Sequence, residues 1–203
     1  MKIIGITGPT GAGKTTALDA LVDLGACVID CDAVYHDLTV HSKPMLDELR
    51  QRFGDGIFDE SGALQRKVLG AIVFSDEKAL NDLNAITHRY VNEAVDGAIA
   101  QAGGEGRPAA AVDAIALLES DLIDKCHCTV AITAPDEVRV QRIMARDGIS
   151  EEYARMRISA QKPSAYFEER CDYYLRNGGI DREAFFREAR DLFEYIISQG
   201  GNT

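Results

Sequence analysis

Residues 8–15, with the sequence GPTGAGKT, decide the fold of this 203-residue chain. They follow an apolar run at residues 3–6 that is typical of a buried strand, and they precede the start of a helical pattern at residues 16–18. A glycine-rich turn in this place lets backbone N–H groups point at an anion, and the helix dipole also favours negative charge there. The stretch therefore predicts a phosphate-binding loop.

The loop has the form G-x-x-x-x-G-K-[ST], which is typical of a nucleoside-triphosphate site. In such loops the lysine reaches the β- and γ-phosphates, and the hydroxyl of the last residue ligates Mg²⁺. We therefore expect Lys14 to contact the reacting phosphates and Thr15 to be the metal ligand. The residues expected to bind the nucleotide here are Gly11, Ala12, Gly13, Lys14, Thr15 and Thr16.

Apolar strand patterns recur along the chain and alternate with helical ones. Strands are predicted at Lys2–Thr7, 26–30, Ala109–Asp113, 129–133 and Tyr173–Arg176. Helices are predicted at 14–24, Asp136–Asp147 and Arg182–Ser198. Near-continuous apolar strands joined through helices indicate a parallel sheet that is covered on both faces. The predicted fold class is α/β, a P-loop NTPase-type parallel five-stranded sheet flanked by helices.

The middle of the chain has no convincing strand. Leu80, Leu83, Ile86 and Tyr90 recur at three- and four-residue steps and predict a long helix over residues 76–100. Residues 101–110 (QAGGEGRPAA) are expected to stop that helix and form a linker. We therefore read one domain over 1–203. Its core comprises 1–40, 107–141 and 166–203, with a helical insertion at 41–106 and a lid at 142–165.

The composition excludes several classes of protein. With 33 acidic and 22 basic residues, the net charge is −11, which argues against a nucleic-acid or membrane partner. No apolar run approaches the roughly 20 residues of a membrane span, and the N-terminus does not resemble a signal peptide. The five cysteines favour a reducing, cytoplasmic location. Cys126-His127-Cys128 lacks a second ligand pair and favours partly buried thiols over a metal site.

Two carboxylates follow the second predicted strand, in residues 27–36 (CVIDCDAVYH). Ligands of open α/β sheets bind beyond the carboxyl ends of the strands. If the chain stays extended, Asp30 and Asp32 lie on one side of it, beside the phosphate loop. A base at this place can take the proton of an acceptor hydroxyl. The alternative is that Asp32 caps a helix at residues 33–38.

Three classes of nucleotide-binding protein remain open at this point: a switch GTPase, a motor or other ATPase, and a small-molecule kinase. The Asn-Lys-x-Asp guanine motif does not occur, and a DNA-acting ATPase should be larger or more basic. A kinase needs a carboxylate near the γ-phosphate and mobile arginines to neutralise the transferred group. Arg139, Arg142 and Arg146 form one stripe of a helix, which is either a closing lid or a solvated face.

With these residues in place, the chain resembles the dephospho-coenzyme A kinase family over residues 4–197. The matching segments are GITGPTGAGKT, GACVIDCDAVYH, GALQRKVLGAIVF, LNAITH, VDAIALLE, QRIMARDGISEEYARMRISAQ and YYLRNGG. The resemblance implies transfer of the γ-phosphoryl of ATP to the 3′-hydroxyl of the ribose of dephospho-CoA. It also implies ATP and Mg²⁺ as cofactors, a helical insertion that binds the coenzyme A moiety, and a monomer or weak homo-oligomer.

The resemblance implies roles for individual residues. Asp32 is expected to be the catalytic base, with Asp30 shaping the site and Lys14 and Arg142 acting on the phosphates. Arg142 and Arg146 match the lid arginines, and Asn177 matches the turn beside the adenine. Gln65, Arg66 and His88 are expected to contact the acceptor substrate. Taken alone, His88 also fits a structural histidine near a helix end.

The chain departs from the family pattern at two places. Arg89 follows His88 where the family usually has proline, and Ile115 replaces a proline in the third-strand motif. Asp113 and Glu119 keep their places, so we expect the site to survive. The rival functions are another nucleoside or nucleotide kinase and a non-catalytic ATP-binding switch.

Overall fold

A five-stranded sheet is the centre of the computed structural model, which describes residues 1–179 and 181–199. Its strands are β1 (Lys2–Thr7), β2 (Cys27–Asp30), β3 (Ala109–Asp113), β4 (Cys128–Thr133) and β5 (Tyr173–Arg176). The strand order is β2-β3-β1-β4-β5, and β1 pairs in parallel with both β3 and β4. The predicted strands are confirmed to within one residue at each end.

Helices connect the strands and build the middle of the chain. They are α1 (Lys14–Asp23), α2 (Cys31–His41), α3 (Lys43–Phe53), α4 (Arg66–Val73), α5 (Glu77–Gly104), α6 (Asp136–Asp147), α7 (Glu151–Ser159), α8 (Ser164–Glu168) and α9 (Arg182–Ser198). Short 3₁₀ helices cover Asp55–Ile57, Leu117–Glu119 and Asp121–Lys125. The predicted helix stop at residue 101 is wrong. The helix accommodates Gly103 and Gly104, and the chain turns away at Gly106, whose φ is +72°.

The chain divides into two compact units, Met1–Ile29 with Ile99–Thr203, and Asp30–Ala98. In the first unit, α1 packs against α9 on one face of the sheet. Ile4 and Ile6 of β1 alternate toward this layer, where Leu21 and Phe193 are fully buried. The result is an apolar layer behind the strand that leads into the phosphate loop.

Gly5 marks the opposite face of β1. A Cβ there would lie 2.6 Å from Leu117 Cδ2 and 2.9 Å from Cys126 Sγ. The 3₁₀ segments after β3 therefore pack directly on the strand backbone. His127 adds to this contact, because its Nδ1 accepts the backbone N–H of Ile3 at 2.8 Å. Burial raises the pKa of the Cys126 thiol to about 11.

The second unit has its own apolar core. Its fully buried side chains include Met45 and Leu49 of α3 and Ile57 of the first 3₁₀ helix. Helix α5 is uninterrupted at residue 89, since arginine, unlike proline, keeps the backbone N–H that the helix needs. The Arg89 side chain pairs with Glu48, which also accepts from the Tyr90 hydroxyl at 3.1 Å.

Candidate active site

The phosphate loop joins β1 to α1 and depends on glycine at two close approaches. Gly8 has φ +140°, and a Cβ there would lie 2.0 Å from the Ile132 carbonyl oxygen. Gly13 has φ +98°, and its Cβ would lie 2.3 Å from Asn177 Nδ2. Because an L side chain fits neither position, both glycines are needed for this loop conformation. Thr15 is exposed, and the N–H of Thr16 donates to the Gly13 carbonyl at 3.1 Å.

A cavity of about 220 Å³ opens over the loop. Its lining consists of Pro9, Thr10, Gly11, Ala12, Gly13, Lys14, Thr15, Ile115, Arg142, Ile143 and Arg146. Within the described part of the chain, this lining carries three cations and no carboxylate. The cations and the N-terminus of α1 together favour an anion, although the whole chain carries a charge of −11.

Lys14 lies next to Asp113, a carboxylate that keeps its place in the family pattern but had no predicted role. Its Nζ is 3.6 Å from Asp113 Oδ1, and the two side chains are 16% and 14% exposed. Asp113 ends β3 and is paired with Ile6 of β1, so the strand order brings it to the phosphate loop. A carboxylate directly after an apolar strand was the available signal, but the sequence does not reveal which strand adjoins β1.

Arg142 forms hydrogen bonds with the backbone of the phosphate loop. Its Nη1 donates to the carbonyls of Gly11 (3.2 Å) and Ala12 (3.1 Å), and its Nη2 donates to Asn177 Oδ1 at 2.9 Å. Burial lowers the pKa of this guanidinium. Asn177 is itself buried at the end of β5, where its backbone N–H donates to the Thr133 carbonyl at 2.7 Å. The structure thus brings Arg142 and Asn177 together at the loop.

Arg139 and Arg146 differ from Arg142 although all three lie on α6. Arg139 is only 1% exposed and donates to the Thr10 carbonyl at 2.9 Å, so the solvated-face alternative is wrong for this residue. Arg146 is 58% exposed and pairs with Asp147, which Arg157 also contacts at 2.6 Å. These two arginines lower the pKa of Asp147 to about 2.

The two predicted carboxylates after β2 have different local structures. Asp30 is the N-cap of α2, and its Oδ1 accepts the N–H of Ala33 at 2.9 Å. The helix already starts at Cys31, and Asp32 is exposed in its first turn. Both the prediction of an extended chain and the alternative that Asp32 is the cap are therefore wrong. Asp30 is thus both the last residue of β2 and the N-cap of α2, so the helix follows the strand directly.

Within the second unit (Asp30–Ala98, called the helical unit below), Arg66 lies against α2. Its Nη1 is 3.3 Å from His36 Nδ1, and its guanidinium lies 5.6 Å from the centre of the Tyr35 ring. Asp32 and His36 are four residues apart and share one face of α2. The structure therefore brings Arg66 to the helix face that carries Asp32. The sequence-based prediction did not include His36 in this contact, although a helix through Asp32 places His36 one turn away on the same face.

The other two residues predicted to contact the acceptor substrate are Gln65 and His88. Gln65 precedes α4, is partly buried, and its N–H donates to the Ile57 carbonyl at 2.8 Å. His88 is exposed on α5. Across the residues that the structure describes, no hydrogen bond joins His88 to Gln65 or Arg66.

None of the helices in the described part of the chain has the length and the apolar character of a membrane span.

Comparison with known proteins gives one consistent result. A family model described as dephospho-CoA kinase matches residues 2–182. The chain is 35% identical over 199 residues to the dephospho-CoA kinase of Corynebacterium diphtheriae, which covers 98% of this chain and 99% of that relative. The match therefore includes both compact units.

Solved structures show the same architecture. TT1252 from Thermus thermophilus superposes with a TM-score of 0.79 at 30% identity and covers 98% of each chain. The dephospho-CoA kinase from Campylobacter jejuni superposes with a TM-score of 0.70 and covers 98% of this chain and 99% of its own. At 23% identity, this second likeness bears on the fold alone.

Proposed function

Because the chain belongs to the dephospho-CoA kinase family, we propose that it transfers the γ-phosphoryl group of ATP to the 3′-hydroxyl of the ribose of dephospho-CoA. The products are CoA and ADP, and the reaction is the last step of coenzyme A synthesis. The observation that carries the proposal is the cationic cavity over the phosphate loop, in a chain that matches this family along nearly its whole length.

The phosphate loop and α6 supply the ATP site in this proposal. Backbone N–H groups of the loop bind phosphate oxygens at the N-terminus of α1. Lys14 and the guanidinium groups of Arg142 and Arg146 neutralise the charge on the transferred group. Asn177 holds Arg142 through a 2.9 Å hydrogen bond and lies in the turn that we assign to the adenine.

Two side chains next to Lys14 carry oxygens of the kind that Mg²⁺ takes as ligands. The Thr15 hydroxyl is exposed at the end of the loop, and the Asp113 carboxylate lies beside Lys14. Protein sites for this ion usually supply one or two such oxygens, and phosphates and water complete the coordination. When bound, Mg²⁺ neutralises charge on the β- and γ-phosphates.

The acceptor side of the reaction is assigned to the helical unit. Asp32 takes the proton of the 3′-hydroxyl while the ribose oxygen bonds to the γ-phosphorus and the bond to the β-phosphate oxygen breaks. A positioned base of this kind contributes about 10²–10⁴ in rate. The position of Arg66 on the Asp32 face of α2 supports a role in binding the acceptor. Gln65 and His88 complete the proposed contacts.

An acceptor panel tests the reaction. Purified protein with Mg·ATP is given dephospho-CoA, nucleoside monophosphates, nucleosides and shikimate, and ADP formation is followed with mass detection of the phosphorylated product. We expect turnover with dephospho-CoA alone, and a 3′-deoxy analogue of it should be inert. Turnover of a nucleoside monophosphate with dephospho-CoA inert would establish the rival kinase function. ATP binding without any transfer would establish the non-catalytic switch.

We further propose a cytoplasmic protein that is a monomer or weak homo-oligomer, without a nucleic-acid or membrane partner. The acidic charge of −11 supports the absence of nucleic-acid and membrane partners, because nucleic acids and anionic membrane surfaces attract basic faces. Analytical ultracentrifugation over a range of protein concentrations measures the oligomeric state. A stable dimer at the lowest concentration would contradict the proposal.

A further inference from the structure

Thr10 occupies one of the four positions that the phosphate-loop motif leaves free. Even so, two side chains that are distant in sequence form hydrogen bonds with its N–H, its hydroxyl and its carbonyl. Its N–H donates to Gln161 Oε1 at 3.1 Å, and its hydroxyl accepts from Gln161 Nε2 at 2.8 Å. Its carbonyl accepts from Arg139 Nε at 2.9 Å. Gln161 thus uses both ends of its amide on a single residue that lies 151 positions earlier in the chain.

Arg139 joins these contacts into one network. Besides Thr10, it donates to Gln161 Oε1 at 2.7 Å and to Asp136 Oδ1 at 2.8 Å. A guanidinium that is 1% exposed is stable only when such partners replace water. The network therefore resists any movement of Thr10 that would leave a buried charge without a hydrogen bond.

Arg139 and Arg142 are one turn apart on α6, and together they bind three consecutive carbonyls, those of residues 10, 11 and 12. In a planar trans peptide, the N–H that follows a carbonyl points the opposite way. Carbonyls directed at α6 therefore turn the N–H groups of Gly11 and Gly13 away from α6. Because their carbonyls are held in this way, these peptide groups have a fixed orientation, and a loop that is ordered before binding loses less conformational entropy when a ligand binds.

Gln161 lies two residues after the last residue of α7. Its N–H donates to the Ile158 carbonyl at 3.0 Å, and Ile158 is buried with Ala154 against Val140 and Ile143 of α6. The Gln161 side chain therefore links the segment after α7 to the phosphate loop.

We propose that Gln161 is a positioning residue for the nucleotide: acting through Thr10, with Arg139 behind it, Gln161 sets the phosphate loop in its binding conformation. The inference rests on the proposed role of this loop as the ATP site. Gln161 itself need not touch ATP, so its loss should change nucleotide binding more than the chemical step.

The first experiment compares Gln161→Ala with wild type and with Gln141→Ala, a glutamine exposed on α6. Isothermal titration with Mg·ATP gives the Kd, and steady-state assays give the KM values and kcat. We expect Gln161→Ala to raise the Kd and KM for ATP about 10-fold, the worth of one to two uncharged hydrogen bonds. The kcat at saturating ATP and the KM for dephospho-CoA should change less than about 3-fold. Gln141→Ala should match wild type.

The second experiment tests the route through Thr10. Thr10→Val removes the hydroxyl that Gln161 Nε2 contacts, and Thr10→Ser retains it. We expect Thr10→Val to weaken ATP binding and Thr10→Ser to preserve it. In the Thr10→Val background, Gln161→Ala should add less than it does alone.

Three results would overturn the inference. The first is an ATP Kd for Gln161→Ala that stays within 2-fold of the wild-type value. If the Tm of that variant is lowered at the same time, the role of Gln161 is purely structural. Another is additive effects of the two substitutions, which exclude action through the Thr10 hydroxyl. The third is a loss confined to kcat. Failure of the wild-type protein itself to bind ATP would instead overturn the proposed function.

Discussion

The Asp30 carboxylate accepts the backbone N–H of Ala33 at 2.9 Å and so caps α2, whereas Asp32 lies in the first turn of the same helix. Two aspartates that are nearly adjacent in sequence therefore have separable roles. Asp30 supports the start of the helix, and Asp32 is exposed in its first turn, where we propose that it acts as the base.

The cap on Asp30 predicts a loss of stability. Asp30→Ala removes the acceptor for the Ala33 N–H, and we expect the free energy of unfolding to fall by about 1 kcal/mol. Asp30→Asn keeps a capping oxygen and should stay close to wild type. Urea unfolding followed by circular dichroism measures both. Equal stability of the alanine and asparagine variants would show that this hydrogen bond contributes nothing.

Asp32→Asn tests the proposed base. Asparagine cannot accept the proton of the acceptor hydroxyl, so we expect kcat to fall at least about 10²-fold while the KM for ATP changes little. Asp37→Asn, also exposed on the same helix, is the matched control and should retain wild-type kcat. A nearly normal rate in Asp32→Asn would remove Asp32 from the chemistry.

Asp113→Asn tests the proposed metal site. The variant keeps the shape of the side chain but loses the charge beside Lys14, so we expect the Mg²⁺ concentration for half-maximal rate to rise about 10-fold or more. Rates measured against free Mg²⁺ at saturating ATP determine this value. Asp191→Asn, an exposed substitution on α9, controls for the change in net charge. An unchanged Mg²⁺ requirement would leave Asp113 only as a partner of Lys14.

Asp147 predicts a pH dependence of stability. Hydrogen bonds from Arg146 and Arg157 lower its pKa from 3.8 to about 2 in the folded protein. Since the folded pKa is the lower one, these contacts stabilise the protein above about pH 4, and this contribution is lost as the pH falls toward 2. The stability difference between wild type and Asp147→Asn should therefore be constant near neutral pH and shrink below about pH 4.

Unfolding of both proteins in urea from pH 7 to pH 3 measures that difference. A difference that persists undiminished at pH 3 would contradict the assignment of the low pKa to Asp147. Arg146→Lys is the control for the hydrogen bonds. It retains a cation next to Asp147 but loses the paired contacts of the guanidinium with that carboxylate.

The strands and the phosphate loop were readable from sequence because their signals are local. Apolar runs such as Ala109–Asp113 are confirmed because a buried parallel strand needs apolar residues throughout. The GPTGAGKT stretch carries its own constraint, since only glycine tolerates the backbone of Gly8 and Gly13. Short-range predictions failed where a side chain competed with the strand: the Asp30 cap starts α2 one residue before Asp32.

The strands, the phosphate loop and the residue types that a kinase needs follow from the order of residues along the chain. Which side chains share hydrogen bonds depends instead on how the helices and strands pack. Lys14 meets Asp113 because β3 adjoins β1, and Thr10 meets Gln161 because α6 and α7 pack together. Local backbone preferences depend on neighbouring residues, whereas a buried charge such as Arg139 is satisfied by whichever distant polar groups the packing delivers.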